Sequence, residues 1–135
     1  VLVPGDSLLT RIIRLENLSQ DLETFPAGST GIQSGKIVAL VNNVLEHADA
    51  RNITHAGNIV GLSVEARSAN ELVKVQNIGK LVSVYNFGIQ APVIVGKNGN
   101  PAYGVDSDFV FVQYIGIASP PDTLIIQNDN TAYIL

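Results

Sequence analysis

From Gly35 to the C-terminus the chain is a series of short apolar segments, each cut by Asn, Gly or Pro before it reaches ordinary helix length. Two of the cuts are specific. Asn42-Asn43 and Asn98-Gly99 are turn pairs whose residues accept the positive φ that a two-residue hairpin turn demands. Lys36–Val41 and Val44–Ala48 flank the first pair, and Pro92–Gly96 precedes the second. Asn58–Glu65 alternates, which predicts Val60, Leu62 and Val64 on one face. Leu72–Asn77 alternates as well, with Val73 and Val75 set against Lys74 and Gln76. Gly79 reads as a break, after which Lys80–Tyr85 resumes with Val82 and Val84 inward. Phe109–Ala118 is the longest strand candidate. Pro120-Pro121-Asp122 turns the chain into Thr123–Gln127, and Ala132–Leu135 ends it. Asp49–Gly57 is polar and irregular, with room for one helical turn, and Ala66–Glu71 is a polar connection. Turn signals every roughly 8–12 residues predict an all-β fold, a small antiparallel barrel or sandwich.

The segments also repeat. Gly35–Asn43 is similar to Ala91–Gly99, and an Asp follows each, at Asp49 and Asp106. Val60-Gly61-Leu62-Ser63 is similar to Ile115-Gly116-Ile117-Ala118. Leu72–Asn77 and Leu124–Asn128 are both apolar and both end in Gln-Asn. The fold is therefore expected to consist of two similar strand-turn-strand halves. A glycine inside a strand marks a bulge or a tight bend where a Cβ would clash. One half alone buries little, whereas two can share a core.

The first thirty residues read differently, as an N-terminal arm or attachment segment (1–30) ahead of a β-barrel domain (31–135). Val1–Gly5 is an extended lead-in, and Phe25–Gly31 reads as a loop. Between them Leu8, Ile12, Leu15 and Leu22 fall at a 4-3-7 spacing that would make one helical stripe, capped by Asp6 or Ser7. Ile12-Ile13 fits a strand equally well, so helix and strand both stay open over residues 7–22. The four residues of the stripe are the expected attachment or oligomer interface.

Composition narrows the function. Charged residues make up 15% of the chain, against roughly 25% in ordinary soluble domains. Such a chain is expected to hide surface against copies of itself or in a larger assembly. The net charge is −4 with no basic cluster, which disfavours nucleic acid. With no cysteine, thiol catalysis and cysteine zinc sites are excluded. No apolar run approaches a membrane span, and no signal peptide is visible, so no membrane partner is expected. The first residue is Val1, which predicts a removed initiator methionine or processing.

Candidate chemistry is sparse. His47-Ala48-Asp49 and His55 share one polar stretch, but two histidines at loose spacing fall short of a zinc site. Asp106-Ser107-Asp108 starts like a calcium loop and then runs into Phe109-Val110-Phe111. Gly31–Lys36 resembles a phosphate loop with one residue too few between its glycines, and Ile37 stands where a hydroxyl is required. Asn17-Leu18-Ser19 and Asn52-Ile53-Thr54 match glycosylation acceptors by chance spacing. Tyr85, Phe87, Tyr103, Tyr114 and Tyr133 are weighed as a sugar-binding surface against core or interface residues. No catalytic residue, no metal ligand and no cofactor site is expected, and the chain is read as not an enzyme.

The run Gly35–Asn77, with its Gly-Lys-Ile-Val-Ala-Leu strand, Asn turn, His47–Ala50, His55–Ser63 and Val-Lys-Val-Gln-Asn-Ile-Gly, resembles a module of tailed-bacteriophage virion structural proteins. Such modules occur in capsid decoration (cement) proteins and in head- or tail-fibre subunits. Val3-Pro4-Gly5-Asp6 resembles the start of cement-type chains, and Pro92–Gly96 with Ile115–Ala118 is similar to the continuation of the pattern. The resemblance covers residues 30–128 and implies no catalytic residues. It implies a homotrimer that binds the major capsid protein or another virion protein, located in the virion and assembled in the host cytoplasm. The alternative is a fibre or receptor-binding subunit recognising a host-surface glycan.

Overall fold

The computed structural model describes residues 22–83 and 85–135. They form eleven strands: β1 (Leu22–Pro26), β2 (Ile37–Val41), β3 (Val44–His47), β4 (Ile59–Ser63), β5 (Leu72–Gln76), β6 (Ile78–Leu81), β7 (Ala91–Val95), β8 (Pro101–Ala102), β9 (Phe111–Ser119), β10 (Thr123–Gln127) and β11 (Ala132–Ile134). One 3-10 turn, Ile53–His55, supplies the helical turn expected in the polar stretch. The all-β expectation holds. The first sheet runs β1-β5-β4-β2-β3 and the second β6-β10-β9-β7-β8, with β11 added along β9. All strand pairs are antiparallel, and neither sheet closes into a barrel. A parallel bridge from Ala27 to Leu45 joins β3 to the chain leaving β1.

The two strand orders are the same order. β1 corresponds to β6, β2 to β7, β3 to β8, β4 to β9 and β5 to β10. Both hairpin turns form as their residues require: Asn42 and Asn43 have φ of 51° and 66°, and Asn98 and Gly99 have φ of 54° and 79°. The register then fixes which residues are equivalent. Val38 faces Gly61 and Val93 faces Gly116; Ala39 faces Ile59 and Ile94 faces Tyr114. In each half the pairing slips by one at that point, so Val60 and Ile115 are the extra residues of matching bulges. A Cβ at Gly61 would run into the Gln76 carbonyl oxygen, and one at Gly116 into that of Ile125.

The sequence reading of the repeat matched the glycines and misplaced the flanking strands. Pairing sets Val38, not Ile37, level with Val93. It sets Gln76, opposite Leu62, level with Ile125, opposite Ile117, two residues short of Gln127. The bulge also overturns the expectation for β4. An extra residue flips strand parity, so Val60 packs with the outer cluster of the first sheet while Leu62 enters the core between the sheets. Two smaller corrections follow from pairing. The break falls at Asn77, and β6 continues through Gly79, where glycine tolerates the φ of 94°. Val82, expected inward, is 62% exposed because β6 has ended at Leu81. Phe25 and Pro26, read as loop, are in β1, since all five residues of that strand pair with β5.

Burial separates the halves. The main core takes Ile37, Ala39, Ile59 and Leu62 from the first sheet and Val93, Val95, Phe111, Ile115, Ala118, Leu124 and Ile126 from the second. The other face of the first sheet is buried as well, where Ala27 and Ile32 fold over Val38, Leu45, Val73 and Val75.

Candidate functional site

The polar stretch between β3 and β4 joins the two halves. Asn52 caps the 3-10 turn, its Oδ1 accepting from the Thr54 N–H at 3.0 Å and the Thr54 hydroxyl at 2.7 Å. That turn drives His55 inward, where it is buried. The Asp49 N–H donates to His55 Nδ1 at 2.9 Å, which places the ring proton on Nε2, facing Glu46 Oε2 at 2.8 Å. Asp49 accepts from the Arg51 N–H at 3.0 Å, from Nε at 2.9 Å and from Nη2 at 2.8 Å. It also accepts from the Asn98 N–H at 3.0 Å, at the hairpin of the second half. The Arg51 hydrogen bond above all holds the Asp49 carboxyl down at about 2.

His47 is engaged elsewhere. Its Nε2 accepts from the Gln33 N–H at 3.1 Å, so that nitrogen carries no proton. Burial, and then the nearby Lys36 charge, lower its pKa. The two histidines thus serve separate backbone amides. Among the described residues no group of three or more His, Asp or Glu side chains could hold a metal ion. Asp106 and Asp108, the start of the calcium-like pattern, close on Lys97 Nζ at 3.3 Å and 3.1 Å. Lys36, the lysine of the phosphate-loop-like run, donates to Asn100 Oδ1 at 2.7 Å and to the Tyr85 hydroxyl at 3.3 Å.

The aromatic candidates divide into two groups. Tyr85, Phe87 and Tyr103 come together, with ring centroids 6.2 Å and 6.5 Å apart, around a hollow of about 140 Å³ lined also by Asn86 and Pro101. The corresponding corner of the first half holds Ser29, Thr30, Glu46, His47 and Asn70 around a polar hollow of about 500 Å³. Tyr114 and Tyr133 lie away from both corners, exposed on β9 and β11.

Of the expected attachment residues, Leu8, Ile12 and Leu15 lie outside the described residues. Leu22 opens β1, opposite Gln76, and is about half exposed. Sequence reasoning missed the role of Gln113. It is fully buried, accepts from the Gly57 N–H at 3.0 Å and donates to Asn128 Oδ1 at 3.1 Å and Asn130 Oδ1 at 2.9 Å. Asn128 in turn donates to the Ile59 carbonyl at 2.9 Å, so this network ties the end of β10 to the first sheet. The sequence signal was present, as a polar residue set inside the apolar run Phe109–Ala118. No protein-family model, curated protein or solved structure matches the chain.

Proposed function

We propose that the protein is a non-enzymatic structural component of a tailed-bacteriophage virion, a decoration (cement) protein that binds and stabilises the assembled head shell. The twice-built module carries this reading. The residues behind the resemblance to virion proteins, Gly61 and Gly116 above all, occupy the same bulge in both halves. The partner is the major capsid protein or another virion protein, and the protein acts as a homotrimer assembled on the particle in the host cytoplasm.

The mechanism is mass action. A protein that binds only the assembled shell stabilises it according to its concentration relative to its Kd, about 2.7 kcal/mol per site at a hundredfold excess over Kd. Attachment is assigned to the N-terminal arm. Because β1 begins at Leu22, the informative truncation removes residues 1–21 and leaves the sheet whole. The truncated chain is expected to keep its fold and melting behaviour and to lose binding to purified shells. Full binding by the truncated chain would remove the arm from the mechanism. Failure of the whole chain to bind shells would remove the shell.

The aromatic corner favours one other reading, a fibre subunit that recognises a host-surface glycan. Binding of the isolated chain to a cell-surface glycan, lost in Tyr103→Ala, would replace the shell reading with this one.

A further inference from the structure

The internal repeat shows what covers a sheet face of this kind. On the first sheet Ile37 pairs with Leu62 and Ala39 with Ile59, and all four are buried beneath the second sheet. Their counterparts on the second sheet are Pro92 with Ile117 and Ile94 with Tyr114. Only Ile94 of these is buried; Pro92 is exposed, Ile117 is partly so, and Tyr114 is 53% exposed. The same face continues through Ile125, paired with Ile117, to Ile78, paired with Gln127. In the other direction it continues through Val112 to Tyr133, which is 60% exposed. The surface that the first half buries is therefore partly open in the second, where Pro92, Tyr114 and Tyr133 are exposed and Ile94 is not.

This face carries both projections and a recess. Tyr114 and Tyr133 stand out from it, while beside β6 lies an open hollow of about 410 Å³ lined by Ile78, Gly79, Ile125, Gln127 and Asp129. A contact between copies requires that one surface offer both partners of each pair, and here one face supplies the projection and the recess. The face carries a charge of each sign, Lys80 level with Ile125 and Asp129 lining the hollow, so two copies can set unlike charges against each other. Buried tyrosines are also frequent anchors of protein contacts.

We propose that the outer face of the second sheet is a self-association surface, on which Tyr114 and Tyr133 of one copy seat against the Ile78–Gly79–Ile125 hollow of another. This goes beyond the virion reading and does not depend on shell binding. It is measured on the purified full chain alone, so it fails or stands separately. It also places the contact on the sheet and not on the stripe of Leu8, Ile12 and Leu15.

The test is light scattering after size exclusion, at high micromolar protein, on the full chain and its variants. The unsubstituted chain is expected to run at a multiple of its 14.3 kDa mass, with the multiple giving the order of the assembly. Tyr114→Lys with Tyr133→Lys should run as monomer. Both positions are exposed, so circular dichroism and melting of the double variant at low concentration should show an intact fold. Leu72→Lys, an exposed apolar residue of the first sheet, should leave the assembly whole. Gln127→Trp, which fills the hollow from its rim, should weaken association without touching the tyrosines. A monomeric unsubstituted chain overturns the proposal, as does an unchanged mass in the double tyrosine variant. So does a chain that stays monomeric alone and needs Tyr114 only to bind shells, since the face would then belong to a shell protein.

Discussion

The two halves share strand order, hairpin chemistry and a glycine-marked bulge, yet they end in different surroundings. The first sheet is buried on both faces, by residues 27–32 on one side and by the second sheet on the other. The second sheet is buried on one face and only in part on the other, at Ile94. A repeated unit of this kind gains stability from what covers it as much as from its own pairing. The corners diverge in the same way: polar with Glu46 and His47 in one half, aromatic with Phe87 and Tyr103 in the other. The two halves share the scaffold and differ in its exposed chemistry.

The sharpest way to break the comparison is at the bulges. Gly61→Ala meets two obstacles, a φ of 142° and the Gln76 carbonyl. Gly116→Ala meets only one, the Ile125 carbonyl. Each obstacle is backbone, so neither can be relieved by a rotamer change. Each variant is expected to lose at least about 3 kcal/mol, a large part of the stability of a domain this size. Urea unfolding measures both. If the bulges are equivalent, the two losses will be similar in size. A tolerated Gly116→Ala beside a disabling Gly61→Ala would show that positive φ alone, and not the shared close approach, keeps the glycine.

The reach of sequence reasoning can be seen in these same residues. Asn42-Asn43 and Asn98-Gly99 announced their turns because local backbone sterics decide them. The alternation of Val73 and Val75 against Lys74 was legible because successive residues of a strand point to opposite faces. Parity across a bulge was not, since Val60 and Leu62 are two apart whether or not the strand is bulged; only the pairing with β2 tells them apart. β1 was hidden because its partner β5 lies some fifty residues downstream, and Phe25-Pro26 taken alone reads as a loop. The grouping of His47 with His55 followed sequence proximity, whereas the strand end and the 3-10 turn send their rings to different amides. Tyr85, Phe87 and Tyr103 gather at one corner, and nothing local could separate them from Tyr114 and Tyr133.

A second, smaller effect tests how the halves are joined. Gln113 on β9 sits level with Asn58 at the entry to β4, yet Gln113 is buried and Asn58 is exposed. The difference arises because the first sheet covers one and solvent covers the other. Gln113→Leu keeps the volume and removes every hydrogen bond, stranding the Gly57 N–H and freeing Asn128 and Asn130. The expected cost is about 1–3 kcal/mol. Asn58→Leu, losing only its bond to the Thr54 carbonyl, should cost less than about 1 kcal/mol. Equal losses would mean that the network does not depend on the contact between sheets.

The smallest effect is electrostatic and belongs to the joint at Asp49. Its carboxyl titrates at about 2 in the folded chain, against roughly 3.9 when unfolded. A lowered carboxylate pKa means that the unfolded chain binds the proton first on acidification. The contribution is therefore complete above about pH 4 and is lost as the pH falls towards 2. The site is solvent-accessible, so the amount should stay under about 1 kcal/mol. Asp49→Asn should flatten this part of the stability profile, measured by melting temperature between pH 5 and pH 2, while leaving other acid-sensitive groups in place. Because Asp49 also accepts from the backbone amides of residues 51 and 98, which an alanine at 51 keeps, Arg51→Ala alone should leave some of the dependence behind. If Arg51→Ala removes it all, the carboxylate serves its own loop and not the hairpin of the other half, and the joint between the halves rests on Gln113 and the backbone bonds around Ala48 and Gly99.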